Sequence, residues 1–313
     1  MAGFHAIIVE VAWGRKNFWR SHDIMRYGAL EAGGTKMVCA IGNENGEILE
    51  QESFPTITPP ETMPKLLEYF EKRDIDALGI ACFGPIDLNR ESETYGYITS
   101  TPKMAWQNTD VVGVFKSLGV PIEFDTDVNG SVLGEYTWGI GKGLRSCIYI
   151  TIGTGVGVGI ISDGRLVHGM MHPEGGHILL QRQPGDTYEG SCHFHHDCVE
   201  SLVSGPAIKG RWGKAGVELQ DRPEVWDLEA EYISQALTDY TMMISPQRII
   251  LGGGVMHQTQ LLPLIRQKFA VHMNGYIRTK ELEDLDSFIV VQSLDDKQGI
   301  MGAVKLAMMA QER

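Results

Sequence analysis

A pattern of strand, glycine-rich turn and strand occurs twice in this chain of 313 residues. The first copy spans residues 27–41 around the turn Gly33-Gly34-Thr35, and the second spans residues 146–161 around Gly153-Thr154-Gly155. An Asn-Gly or Asp-Gly pair follows each copy, which is typical of a hairpin turn into a further strand. Because repetition on this scale indicates a duplicated unit, the pattern predicts two similar α/β lobes that meet at a cleft.

The two halves also share the order of their later elements. In each half a helix leads to a strand, and a further strand leads to a second helix. These elements are predicted at 61–72, 77–82, 122–124 and 128–138, and again at 228–244, 248–251, 288–291 and 297–310. We expect an N-terminal lobe over residues 25–145, a C-terminal lobe over 146–313, and an extension outside the fold at 1–24. An insertion at about 168–210, rich in His, Cys, Gly and Pro, is expected to form loops.

Charge and composition argue against several classes of protein. The net charge of -13 disfavours a nucleic-acid-binding face, because such a face is basic. No apolar run approaches the roughly 18 residues of a membrane span, and no secretory signal pattern is present. The five cysteines are an odd number that fits a reducing compartment better than a disulfide framework. We therefore expect a cytoplasmic protein without nucleic-acid or membrane partners.

Both glycine turns carry a hydroxyl residue, Thr35 in the first and Thr154 in the second. Small residues let a polyphosphate approach the backbone N–H groups, and the two hydroxyls and Lys36 add donors. Either turn alone is explained as well by a plain hairpin, but two at equivalent positions favour phosphate binding. Neither the GxxxxGK(S/T) motif of P-loop enzymes nor the GxGxxG motif of dinucleotide-binding folds occurs, so both classes are disfavoured.

Asp127 lies where a predicted strand meets a predicted helix. A carboxylate at such a strand end can take a proton from a hydroxyl nucleophile. An Asp here could also act only as a helix cap. Its place at the cleft end of the first lobe, opposite the second glycine turn, favours a general base.

A compact set of Cys and His residues lies in the insertion. His177, Cys192, His195 and Cys198 offer two nitrogens and two sulfurs, with three of them in the spacing Cys-x-x-His-x-x-Cys. Four such ligands with no open position are typical of a structural zinc site. The neighbouring histidines His172, His193 and His196 leave the choice of histidine ligands open.

Glu174 and Glu200 flank this loop. A metal ion that holds the loop would also hold their carboxylates, which could accept hydrogen bonds from the hydroxyls of a sugar. The alternative is that both are solvated surface acids, the usual fate of Glu.

These segments occur in the order Leu30-Glu31-Ala32-Gly33-Gly34-Thr35-Lys36, Asp127-Val128-Asn129-Gly130, Thr151-Ile152-Gly153-Thr154-Gly155, Glu174-Gly175-Gly176-His177, the Cys/His loop and Leu251-Gly252-Gly253-Gly254. Taken together they resemble the motifs of the ROK family of sugar kinases, over essentially all of residues 25–313. The resemblance implies a duplicated actin/hexokinase-type (ribonuclease H-like) α/β fold, with ATP and Mg²⁺ as the phosphate donor and a small sugar as acceptor. It implies Asp127 as general base, ATP against Gly33, Gly34, Thr35, Lys36, Thr154, Gly155, Gly252, Gly253 and Gly254, and the sugar near Asn129, Glu174, His177 and Glu200. A homodimer is the expected assembly.

Within that family, three segments resemble the bacterial fructokinase branch. They are the loop from Cys192 to Glu200, Phe83-Gly84-Pro85-Ile86-Asp87, and Thr101-Pro102-Lys103 with Trp106. Two departures from other members point the same way. Thr126 precedes Asp127 where many members have Asn, and the metal loop has two cysteines rather than three, with His195 filling a ligand position.

The resemblance therefore implies ATP-dependent phosphorylation of D-fructose to D-fructose 6-phosphate. Glucose, mannose or an amino sugar are alternative acceptors. From other classes, a sugar-sensing repressor would need a DNA-binding module before the first turn, and a non-catalytic sugar-binding protein would not need Asp127 and both phosphate turns. The retained motifs favour the enzyme.

Overall fold

The computed structural model describes residues 25–313, so the predicted extension at 1–24 lies outside the described residues. The first half contains ten elements in chain order: β1 (Tyr27–Ala32), β2 (Lys36–Gly42), β3 (Ile48–Pro55), α1 (Pro59–Glu71), β4 (Ala77–Cys82), β5 (Tyr97–Ile98), β6 (Thr109–Asp110), α2 (Val111–Phe115), β7 (Ile122–Thr126) and α3 (Asp127–Thr137). The second half contains twelve: β8 (Cys147–Ile152), β9 (Val156–Ser162), β10 (Arg165–Leu166), α4 (Val199–Val203), α5 (Gly205–Trp212), α6 (Pro223–Ile244), β11 (Ile249–Gly252), α7 (Leu261–Met273), α8 (Lys280–Glu283), α9 (Leu285–Phe288), β12 (Ile289–Val291) and α10 (Gln298–Glu312).

The two large sheets have the same topology. Their strand orders are β3-β2-β1-β4-β7 and β10-β9-β8-β11-β12. In the first sheet β1 pairs antiparallel with β2 and parallel with β4, and β4 pairs parallel with β7. In the second sheet β8, β9, β11 and β12 repeat these pairings. The structure thus repeats one α/β unit, as the doubled sequence pattern predicted.

Parallel pairing aligns three strand ends on one edge of the first sheet. Ala32 pairs with Cys82, and Cys82 pairs with Thr126. The first glycine turn follows β1 and Asp127 follows β7, so both lie at this edge. Ligand sites in open α/β sheets lie at the carboxyl ends of the strands.

The helices α3 and α10 fill the space between the two sheets. One buried cluster joins Ala29 and Ala81 of the first sheet to Val132 of α3, Ile161 of the second sheet and Val304 of α10. The helix α10, which follows every strand of the second half, packs on β1 and β4 of the first sheet. The proposed lobe boundary at residue 146 stays a prediction. Each half has a buried cluster of its own, and this cluster joins the two.

A glycine in α10 allows the helices α3 and α10 to cross in direct contact. A Cβ atom added to Gly302 of α10 would lie 1.7 Å from the carbonyl oxygen of Gly130 in α3. No side chain fits at this distance, so glycine sets how close the two helices come.

The prediction that the insertion at 168–210 forms only loops is wrong. The insertion contains α4 and most of α5, whose first turns are capped by the side chains of Cys198 and Ser204. These helices have only five and eight residues, which is too short for a helical apolar period to be visible in the sequence. Among residues 25–313, no helix combines the length and the apolarity needed to cross a bilayer.

The helix crossing generates the first prediction. Gly302→Ala should destabilise the fold by about 1–3 kcal/mol, because a methyl group must displace the Gly130 backbone. Alanine in an unconstrained helix position would instead stabilise by roughly 0.5–1 kcal/mol, so the sign of the effect tests the contact. Urea unfolding measures it, with Lys305→Ala on the same helix as the control. A Gly302→Ala variant as stable as the parent would contradict the close crossing.

Candidate active site

Asp127 is the first residue of α3 and directly follows β7. The preceding residue Thr126 caps the helix, its Oγ1 accepting from the backbone N–H of Asn129 at 3.1 Å. One carboxylate oxygen of Asp127 accepts from the N–H of Val128 at 2.9 Å. Burial raises the pKa of Asp127, and the backbone hydrogen bonds oppose this effect. Because Thr126 performs the capping, the Asp127 side chain is not needed as the helix cap.

Glu31, near the end of β1, lies in the electrostatic field of Asp127. The pKa of Glu31 is raised to about 7, mainly by burial and also by the charge of Asp127, while Lys36 acts in the opposite direction. Our sequence reasoning assigned Glu31 no role. One sequence signal could have indicated a role for Glu31. It lies one residue before the end of β1, in the same sheet as β7, which Asp127 follows.

Glu174 and Glu200 extend this group of acids toward the second sheet. Burial raises the pKa of Glu174 to about 7, with smaller contributions from the charges of Asp127 and Glu200. Glu200 in α4 accepts through Oε2 from the backbone N–H of Val156 at 3.0 Å. Glu31, Asp127, Glu174 and Glu200 therefore form a row of carboxylates that runs from the first glycine turn to the second. Such a concentration of negative charge favours a cation or many hydroxyl donors.

The first glycine turn is closed by backbone hydrogen bonds. The N–H of Gly33 donates to the carbonyl of Lys36 at 3.1 Å, and the hydroxyl of Thr56 donates to the carbonyl of Gly33 at 2.8 Å. The side chain of Lys103 lies across this turn, since a Cβ atom at Gly34 would be 2.7 Å from Lys103 Cε. Lys103 belongs to the segment Thr101-Pro102-Lys103, and only the tertiary structure shows that it contacts the turn.

The second glycine turn lies beside the Gly252–Gly254 segment. The turn is closed by the N–H of Gly153, which donates to the carbonyl of Gly155 at 2.9 Å. A Cβ atom at Gly153 would be 3.9 Å from the backbone nitrogen of Gly254. Because β8 and β11 are paired neighbours, the structure brings together two glycine segments that are far apart in the chain.

Asn129 is held in one orientation by two polar neighbours. Its side-chain amide donates to Asp125 Oδ1 at 2.7 Å and lies 3.4 Å from His168 Nε2. His168 in turn lies 2.9 Å from Asp125 Oδ2, and that hydrogen bond raises the pKa of His168. The Asn129 side-chain oxygen is buried with no hydrogen-bond partner. A buried acceptor of this kind is costly unless a ligand supplies a donor.

The four predicted metal ligands converge on one point. Their ligand atoms lie within 4.8 Å of one another. The Sγ atoms of Cys192 and Cys198 lie 3.7 and 3.6 Å from His177 Nδ1, and Cys192 Sγ lies 3.9 Å from His195 Nδ1. Tetrahedral zinc with ordinary Zn–S and Zn–N bond lengths places sulfur and nitrogen about 3.5 Å apart. The donor set is typical of a zinc site, and the quoted sulfur–nitrogen distances are within a few tenths of an ångström of this value.

The other histidines of the insertion lie outside this cluster. His196 Nδ1 faces the carbonyl of Glu189 at 3.0 Å. His172 is buried and contacts the backbone of Ile86 in the first half. The ligand choice left open by the sequence thus favours His177 and His195.

A cavity of about 450 Å³ lies beside β7, away from the glycine turns. Arg90, Glu123, Asp125 and His168 are among its lining residues. Glu123 is already paired with Arg90 and Arg313. We place the candidate chemistry at the carboxylate row, which begins near the strand ends of the first sheet and reaches the second glycine turn through Glu200.

Comparison with known proteins identifies the family. The ROK family model matches residues 27–310. The chain belongs to the ROK family. It is 48% identical to the putative fructokinase of Bacillus subtilis, over 90% of this chain and 94% of that protein. It is 46% identical to the fructokinase of Pediococcus pentosaceus, over 91% of this chain and 99% of that protein.

A solved ROK structure shares the fold. The ROK glucokinase of Streptomyces griseus, in complex with glucose and AMPPNP, superposes with a TM-score of 0.70 at 23% identity, over 91% of this chain and 99% of that one. The predicted ROK membership and the duplicated two-lobed fold are confirmed. Relative to our sequence reasoning, the structure adds Glu31, Lys103, Asp125 and His168 to the surroundings of the ROK motifs.

The Cys/His cluster generates a prediction of metal content. The purified protein should contain about one zinc per chain, since four ligands in this spacing complete one site. Cys198→Ser should lower the zinc content below about half, because removal of a thiolate weakens a structural site. Inductively coupled plasma mass spectrometry measures the zinc content per chain. The control His193→Ala, which lies outside the cluster, should keep the parental zinc content. Metal-free protein with an ordered insertion would show that the cluster is not a zinc site.

Glu31 generates a prediction of pH dependence. Its pKa is about 7 in the folded protein, above the ordinary value of 4.5. Between pH 4.5 and pH 7, Glu31 is therefore protonated in the folded protein and ionised in the unfolded chain. The stability contributed by the protonated group is complete below pH 4.5 and is lost as the pH rises through 7. Glu31→Gln should therefore stabilise the ligand-free protein at pH 8 by roughly 1–3 kcal/mol, since one pKa unit corresponds to about 1.4 kcal/mol.

The gain should vanish near pH 4 in denaturant unfolding. Glu52→Gln, an exposed position on β3, is the control and should be neutral at both pH values. A Glu31→Gln variant less stable than the parent at pH 8 would mean that the carboxylate is satisfied in the free protein.

Proposed function

We propose that this protein is a fructokinase, which transfers the γ-phosphoryl group of ATP to the 6-hydroxyl of D-fructose. The observation that carries the proposal is near-complete similarity, at 46–48% identity, to two proteins named as fructokinases. The geometry supports it, because Asp127 lies at a strand end within a group of acids whose member Glu200 contacts the second glycine turn. Each part of the site supplies one requirement of phosphoryl transfer.

The glycine segments provide the nucleotide site. These segments are Gly33 to Lys36, Thr154 with Gly155, and Gly252 to Gly254, whose small residues let phosphate groups come close to the backbone. Lys36 and Lys103 add positive charge near the first turn. Such groups neutralise the phosphate oxygens as charge develops during transfer. The glucokinase of Streptomyces griseus, which shares this fold, was solved with the nucleotide analogue AMPPNP.

Mg²⁺ enters with ATP as part of the substrate. Its preferred ligands are carboxylate and phosphate oxygens. Glu31 fits this role, because its carboxyl is buried near enough to Asp127 for the two charges to interact, and a nearby cation would lower its raised pKa. We therefore assign Glu31 to the metal-bearing phosphates and keep Asp127 for the sugar.

Asp127 acts as the general base. It takes the proton from the 6-hydroxyl while that oxygen attacks the γ-phosphorus, and the bond from the γ-phosphorus to the bridging oxygen of ADP breaks. The raised pKa of Asp127 brings its basicity closer to the working pH, which favours proton transfer.

The sugar hydroxyls meet acceptors already in place. Glu174 and Glu200 accept hydrogen bonds, and the unpartnered oxygen of Asn129 accepts another. His177 directs Nδ1 to the two sulfurs, so its Nε2 is the nitrogen that faces a hydroxyl. Zinc held by His177, Cys192, His195 and Cys198 would fix the segments that carry Glu174 and Glu200, a structural role. The homodimer and the cytoplasmic location stay predictions.

The test is a coupled assay of ADP release with fructose, glucose, mannose and N-acetylmannosamine. Fructose should give the highest kcat/KM, by about tenfold or more, because a site built on hydroxyl acceptors rejects a sugar that leaves them unpaired. Competition between fructose and glucose at equal concentration gives the ratio directly. A higher kcat/KM for another sugar would overturn the choice of substrate and leave the kinase assignment.

Asp127→Asn provides the control for the chemistry. It should lower kcat by roughly 100-fold or more while ATP binding stays within about twofold, because a general base contributes about 10²–10⁴-fold. Near-parental turnover of a folded Asp127→Asn variant would remove Asp127 from the mechanism.

A further inference from the structure

His172 connects the two halves of the molecule through hydrogen bonds of its own ring. It lies in the insertion of the second half and is only 4% exposed. Its Nε2 accepts from the backbone N–H of Ile86, in the loop after β4 of the first half, at 3.1 Å in a buried contact. The ring also packs against Gly84, where a Cβ atom would lie 3.4 Å from Nε2.

The Ile86 N–H, which donates to Nε2, determines the tautomer of the His172 ring. A backbone N–H can only donate, so Nε2 carries no proton and a neutral ring carries its proton on Nδ1. Burial lowers the pKa of His172, which favours this neutral form.

The protonated nitrogen then faces a carboxylate. Nδ1 lies 3.4 Å from Glu174 Oε1 and 3.4 Å from the carbonyl of Pro173. The ring thus accepts from the Ile86 N–H and is hydrogen-bonded to the Pro173 carbonyl, and its Nδ1 comes within ion-pair distance of the Glu174 carboxylate. The Ile86 loop is itself anchored, since the Thr99 N–H donates to the Pro85 carbonyl at 2.8 Å.

We propose that His172 is a positioning residue for Glu174, holding this carboxylate in the orientation that accepts hydroxyls of a sugar, and fixing it to the loop that contains Ile86. The proposal rests on the proposed function, because it takes Glu174 as a sugar contact. It goes beyond that function in assigning to a buried histidine, remote from the phosphates, control over sugar affinity. A histidine fixed in one tautomer by a second group is a general way to orient a polar partner.

Three substitutions separate the two contacts of the ring. His172→Leu removes both. His172→Asn places an amide at the depth of Nδ1 and keeps a donor toward Glu174, whereas His172→Gln places an amide at the depth of Nε2 and keeps an acceptor for Ile86. His193→Asn, the same change at an exposed histidine of the same loop, is the control.

We expect His172→Leu to raise KM for fructose by about tenfold or more, the usual effect of losing a hydrogen bond to a charged group, while KM for ATP changes less than twofold. His172→Asn should recover most of the sugar KM and His172→Gln should not. The control should match the parent. Equal increases in both KM values, or recovery by Gln and not by Asn, would show that His172 only supports the loop and would overturn the proposal.

A second measurement does not depend on catalysis. Nitrogen-15 NMR of histidine-labelled protein reports the tautomer of each ring, and comparison with His172→Gln assigns the signal of His172. A neutral ring protonated on Nδ1 is expected. A ring protonated on Nε2, or on both nitrogens at pH 7.5, would overturn the proposal whether or not fructose proves to be the substrate.

Discussion

The contact between α3 and α10 is the constraint on which the rest of the structure depends. These helices lie between the two sheets and cross where Gly302 meets the backbone of Gly130. Since α3 begins at Asp127, the same contact that closes the core sets the position of the proposed base relative to both sheets. A small displacement of α3 would move Asp127 away from Glu31 and Glu174 together. Core packing and catalytic geometry therefore depend on the same helix.

The carboxylate row is the main electrostatic feature of the candidate site. Glu31 and Glu174 have raised pKa values because they are buried and because the Asp127 charge is close. A divalent cation near Glu31 and hydroxyl donors near Glu174 would each favour the ionised forms. Under the proposed function, binding of the cation and the sugar would therefore favour ionisation of the same group of acids that contains the proposed base.

Much of this was predictable because the signals are local. The strands are apolar runs bounded by glycine or Asn-Gly turns, and repetition in the second half reinforced each assignment. The Cys/His ligands were predictable because three of them share a seven-residue segment, Cys192 to Cys198. The contacts of Lys103 with Gly34 and of His172 with Ile86 join residues far apart in the chain, so no spacing rule could indicate them. Only the tertiary structure shows that His172 contacts the first lobe and lies outside the Cys/His cluster.

The place of α10 in the chain has a consequence for how the protein forms during synthesis. All strands of both sheets leave the ribosome before α10, yet α10 covers the inner faces of β1 and β4. Until then the apolar residues of these faces, such as Ala29 and Ala81, lack their native cover. The first lobe cannot complete its core as the nascent chain emerges, although domains usually fold in turn from the N-terminal side. The packing of α10 on β1 and β4 is therefore a late step that needs both halves, whereas a second buried cluster of the first half, around Leu30 and Phe70, contains residues of that half alone.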